Sequence, residues 1–155
     1  MKGKASLATV LDIATRKREA SLQALARARN EQQMALMQMS QLQGYTAESM
    51  QRWSQRATRG VPVMLLHTQQ SFMTKLEHAV NFQHGVLDRL NQNVQRCQQQ
   101  LIEAERELAS LQKVQQRRIE AWQKDQQRQE QRTTDEMAAN QHWQHASAHP
   151  WRSQP

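Results

Sequence analysis

The sequence has little of what turns or staples a chain. Four Gly and three Pro occur in 155 residues. A many-stranded sheet needs far more turn residues, which excludes an all-β or βαβ fold. The single cysteine, Cys97, rules out an intramolecular disulfide framework and suits a reducing compartment. Hydrophobic residues make up 37%, aromatics only 5%, and the mean hydropathy is -0.93, too polar for a thick globular core. No apolar run nears the roughly 18 residues of a membrane span; the best is Val61 to Leu66. Asp12 and Arg16-Lys17-Arg18 break up any signal-peptide core, so the chain reads as cytoplasmic. With Gly only at 3, 44, 60 and 85, there is nowhere to build a phosphate cradle.

What is present is 27 Gln with many Ala, Leu, Arg and Glu, the bias of long helices and coiled coils. The net charge is +7, which attracts acidic partners of any kind. The charge is uneven. Residues 1–60 carry ten Lys/Arg against four Asp/Glu, and the remainder eleven against ten.

The strong breaker in the middle is Arg59-Gly60-Val61-Pro62, which ends one helix and starts another. The second segment carries a 4–3 apolar spacing: Met73, Leu76, Val80, Gln83, Leu87, Leu90, Val94, Cys97, Leu101, Ala104, Leu108, Leu111. Polar residues lie between these positions, as in a coiled-coil seam. The first segment holds a thinner seam of the same spacing, from Leu7 through Leu25, Ala28, Ala35 and Met39 to Trp53. Cys97 lies in the seam, where a free cysteine packs as a small hydrophobe. The expected fold is all-α: an antiparallel two-helix coiled-coil hairpin with a longer second helix and a disordered C-terminal tail. Residues 1–139 form one hairpin (helix 6–58, tip 59–64, helix 65–139), and 140–155 form the tail. At 1.5 Å per residue the second helix overhangs the first by roughly 30 Å at the end remote from the tip.

Chemistry for catalysis is missing, and a thin hairpin has no concave pocket for it. The chain therefore reads as a non-enzyme with no cofactor and no small-molecule substrate. His142, His145 and His149 lack nearby Cys or carboxylate companions, so no metal site is expected. Arg16, Lys17 and Arg18 with Arg27 and Arg29 could contact phosphates, but Leu22 and Leu25 interrupt them, unlike the basic region of a zipper-type DNA reader. Nucleic acid is accordingly not the favoured partner. Trp122 is either an interface anchor or the end of the seam. Near the tip, Phe72, Leu76 and Ala79 share one face of the second helix, and Gln38, Leu42 and Tyr45 one face of the first. Antiparallel pairing brings the two sets together. They either thicken the core or form an exposed patch that binds a partner.

Several stretches in order resemble the FliJ family of bacterial flagellar export proteins. They are Leu7-x3-Leu11-x-Ile13-Ala14; Gln38, Leu42 and Tyr45; Gln69-Gln70-Ser71-Phe72-x3-Leu76-x2-Ala79; Arg106-x4-Leu111; Gln116 to Trp122; and Asp135-Glu136-Met137-Ala138. The resemblance covers about residues 6–139. It implies a shaft in the hexameric flagellar export ATPase that also engages the cytoplasmic part of the membrane export gate and export chaperones, placed peripherally at the inner face of the membrane. It implies gate binding through Gln38, Leu42, Tyr45, Phe72, Leu76 and Ala79. It implies that Arg16, Lys17, Arg18, Arg117, Arg118 and Trp122 face the ATPase ring. The chain departs from the family where an aromatic is replaced by Ser49 and a His by Gln83. The alternatives are the stalk of a virulence-type secretion ATPase, a basic coiled coil on nucleic acid, and a plain homodimer.

Overall fold

The structure, a computed structural model, describes residues 6–148. It consists of two α-helices, α1 (Leu7–Ala57) and α2 (Val63–Ala148), with no strand among the described residues. Helix α1 begins at a serine cap. The Ser6 carbonyl accepts from the Val10 N–H at 3.1 Å, and the Ser6 hydroxyl accepts from the Thr9 N–H at 3.3 Å. The side chain thereby satisfies one of the donors a helix N-terminus leaves free.

Helix α1 ends where the sequence places its breaker. The Arg59 and Gly60 N–H groups close back onto the carbonyls of Arg56 (3.0 Å) and Ala57 (3.4 Å). Gly60 has φ +83°, the left-handed conformation in which only glycine is free of a Cβ penalty. The chain then restarts through Pro62, whose carbonyl accepts from Leu65 and Leu66 at 3.0 and 3.3 Å. A proline in this place costs nothing, because its missing N–H has no helical partner there.

The chain divides into two units. The larger, Asp12–Leu108, is the hairpin body. Contacts between its helices run in opposite senses along the sequence: Lys17 with Glu107, Gln32 with Asn91, Ala35 with Gln83, Ser49 with Gln69. The helices are therefore antiparallel. Two clusters form the core. Leu25 and Ala28 pack with Val94 and Cys97, with Ala24 and Leu101 at the edge. Ala35 and Met39 pack with Leu87, flanked by Val80, Val86 and Leu90. Every position of the 4–3 spacing read in the second segment, from Met73 to Leu111, is buried or half-buried, and so is every position of the thinner seam. Ala14, Ala28, Ala35 and Ala104 are among the most buried residues. Their lack of bulk lets larger partners interdigitate at native density.

Gln83 is the one buried polar side chain among the described residues. Its Nε2 donates to the Ala35 carbonyl at 3.0 Å and to Gln38 Oε1 at 3.3 Å. A polar group in an apolar seam is stable only when bonded, and here both partners are on α1.

The smaller unit contains residues 6–11 and 109–148 among those described. Leu7, Val10, Leu11 and Leu111 are half-buried, and from Gln112 to Ala148 all residues except the half-buried Gln126 are exposed. Helix α2 continues to Ala148, so the expectation of a tail without structure from residue 140 is corrected for 140–148. The reason is local. Residues 140–148 are rich in Ala and Gln, good helix formers, and no proline occurs before Pro150. The rest of the expected tail lies outside the described residues, as does His149.

Two pairs of substitutions test this packing. Leu87→Ala should cost about 2 kcal/mol by leaving a gap in the second cluster. Gln83→Leu should leave stability unchanged or raise it by up to about 1 kcal/mol, since the Ala35 carbonyl keeps its place in the helix. A Gln83→Leu loss as large as that of Leu87→Ala in urea unfolding would contradict the packing. At the glycines the signs oppose. A Cβ at Gly44 meets no atom within 4 Å, so Gly44→Ala should stabilise by about 0.5–1 kcal/mol, whereas Gly60→Ala should destabilise by about 1 kcal/mol.

Candidate functional site

The residues expected to bind a partner near the tip lie in the hairpin body. Leu42–Tyr45 fall between two cross-helix contacts, Ala35 with Gln83 and Ser49 with Gln69, so they face the part of α2 between residues 69 and 83. Gln38 is exposed and receives the second hydrogen bond of Gln83. Leu42, Leu76 and Ala79 are half-buried and floor the patch. Tyr45 and Phe72 stand out from it, 62% and 47% exposed. An open groove is lined by Tyr45 from α1 and by Phe72 and Leu76 from α2. The two readings of the spacing thus divide by residue: Leu42, Leu76 and Ala79 thicken the core, while Tyr45 and Phe72 present aromatic surface to solvent.

The groove has a second component that the sequence reading did not pick out. Arg52 and Arg56 line it from α1, together with Glu48, and Arg59 lines it from the turn that follows. The i, i+4 spacing puts Arg52 and Arg56 on one face of the helix, and Arg59 follows two residues past its end. Among the described residues only Arg52 of the three has a carboxylate partner, Glu48 Oε2 at 3.8 Å. The 4–3 template found the buried stripe, and a stripe of charges outside it has no weight in an apolar pattern. A search for arginines at helical spacing finds it.

The two positions that depart from the family pattern are structural. Ser49 Oγ accepts from Gln69 Nε2 at 3.2 Å, a cross-helix bond at the groove's edge. Gln83 ties α2 to α1 beneath Gln38. His84 is exposed.

The basic residues near the N-terminus of the hairpin body are engaged with carboxylates. Arg16 pairs with Asp12 at 3.2 Å, Lys17 with Glu107 at 3.2 Å and Arg18 with Glu105 at 3.9 Å. The last two cross between helices. All are solvent-exposed pairs, each worth about 1 kcal/mol or less. In the smaller unit Arg117, Arg118 and Trp122 are exposed, without an ion pair among the described residues. Cys97 is buried and free, as its place in the seam requires. No group of three metal-ligating side chains occurs among the described residues, and no described helix is long and apolar enough to cross a membrane.

Comparison with known proteins gives one family. The family model described as the flagellar FliJ protein matches residues 2–147. No curated protein and no solved structure matches. A match over nearly the whole chain, on a two-helix antiparallel hairpin, is sufficient: the chain belongs to the flagellar FliJ protein family and is a component of the flagellar export apparatus.

Proposed function

We propose that the protein is a non-enzymatic coupler: it binds the export ATPase ring as a shaft and engages the cytoplasmic part of the export gate. The observation that carries the gate half is the groove in which Tyr45, Phe72 and Leu76 meet from two helices. Exposed aromatics over a packed aliphatic floor are the usual anchors of a protein interface. Gln38, Leu42 and Ala79 complete the surface. Phe72 and Tyr45 stay exposed because the seam beneath is already filled by Leu42 and Leu76.

The ring half rests on charge. A basic chain is held electrostatically by an acidic lumen. Arg117, Arg118 and Trp122 are the residues best placed for it, being exposed and without an ion pair among the described residues. Arg16, Lys17 and Arg18 add positive charge, reduced by their carboxylate partners. Binding to export chaperones and a peripheral place at the inner face of the membrane accompany this role. The family match favours the flagellar system over a virulence-type secretion stalk.

Two measurements test the two halves. Phe72→Ala with Leu76→Ala should leave helix content intact by circular dichroism and lower affinity for the cytoplasmic part of the gate more than tenfold, with a matching loss of swimming on soft agar. Normal motility in that double variant sinks the patch assignment. Arg117→Ala, Arg118→Ala and Trp122→Ala together should weaken co-purification with the export ATPase while gate capture is unchanged. Equal ATPase recovery would remove these residues from the ring contact.

A further inference from the structure

The turn end of the hairpin has an unusual charge and polarity balance. From Ser49 to Leu76 there is no Asp or Glu, in a chain with fourteen of them. Four basic residues, Arg52, Arg56, Arg59 and Lys75, occupy the same span. At its apex the first turn of α2 is apolar and uncovered: Val63, Met64, Leu65 and Leu66 are 68, 84, 44 and 41% exposed. Met64 exceeds every other described large hydrophobic residue in exposure.

We infer that this apex inserts into the surface of an anionic lipid bilayer, with the arginines at the level of the headgroups. The arrangement of the apolar residues identifies the occupant. A protein groove that receives a helix reads one stripe, at i, i+3, i+4 and i+7. Four consecutive residues instead wrap the whole first turn and point to all sides, which suits a soft medium that surrounds them. One helical turn rises about 5.4 Å. That matches the roughly 5–10 Å to which interfacial helices bury their apolar side. The charge fits as well: Arg56, Arg59 and Lys75 have no carboxylate partner among the described residues, while Arg52 pairs with Glu48 at the edge of the span. Arg56 and Arg59 have no ion pair among the described residues and are free to meet phosphate. Lys and Arg stems can lie along the apolar layer while their heads stay at the headgroups.

This surface goes beyond the gate-binding patch and acts without the gate, so purified full-length protein suffices for the test. Co-sedimentation with vesicles of phosphatidylglycerol and phosphatidylcholine in equal parts should be at least about tenfold tighter than with phosphatidylcholine alone, and should weaken with added salt. Arg56→Gln with Arg59→Gln should lower it about fivefold per residue. Met64→Gln with Leu65→Gln should lower it about tenfold while net charge and helix content are kept. Wild-type binding by that last variant would reduce the contact to surface attraction and overturn the insertion. No sedimentation with anionic vesicles also overturns the inference, and so does binding to poly-glutamate in place of vesicles, which would assign the surface to an acidic protein segment. Phe72→Ala with Leu76→Ala should keep vesicle binding, and Met64→Gln with Leu65→Gln should keep gate capture. Failure of either reading is then visible separately from the other.

Discussion

Everything in the hairpin body depends on one narrow contact, the seam between two helices. Each helix can bury only one stripe against the other. The result is a core of small and medium residues. No side chain among those described is completely buried. Stability must come from continuity: Leu25, Ala28, Val94 and Cys97 in one cluster, Ala35, Met39 and Leu87 in the next. Cross-helix polar contacts between Gln32 and Asn91, and between Gln83 and Ala35, punctuate the run. They add little energy but resist sliding, because a shift of register leaves the buried Gln83 amide without an acceptor.

The same constraint explains where the proposed binding surface lies. A filled seam leaves the adjoining helical faces to solvent, so aromatic residues one step off the seam become exposed anchors rather than core. Phe72 precedes Met73 and is exposed; Met73 itself is half-buried. Tyr45 stands beside Thr46, whose hydroxyl is turned back onto the Leu42 carbonyl at 2.9 Å. The groove is therefore a by-product of packing geometry that selection could furnish with arginines. Apart from Arg59, its residues sit on regular helix, which holds them more rigidly than a loop would.

Much of this was legible in the sequence because the physics of a two-helix hairpin is nearly one-dimensional. The 4–3 spacing from Met73 to Leu111 identifies the buried face of α2 position by position, and Gly60 with Pro62 locates the reversal to within a residue or two. Three features were not legible. The helix beyond residue 139 was missed because polarity was read as absence of structure, whereas Ala and Gln without proline favour helix whether or not anything is buried. The row Arg52, Arg56 and Arg59 was missed because apolar periodicity assigns it no weight. The pairing of Lys17 with Glu107 and of Arg18 with Glu105 depends on cross-helix register, which neither helix encodes alone. The proposed gate surface lies between these extremes: spacing placed Tyr45 and Phe72 beside the seam, but only the filled seam decides that they face water.

The connection through residues 58–62 has a consequence for assembly. It joins the ends of two helices that must pair, so each helix meets its partner at an effective concentration in the millimolar range or above, as for any short linker. A second copy of the chain would have to compete with that value from free solution. Intramolecular closure therefore dominates, and the seam is saturated before another coiled coil can reach it. What such a chain can still offer to other molecules is its outer faces and its ends.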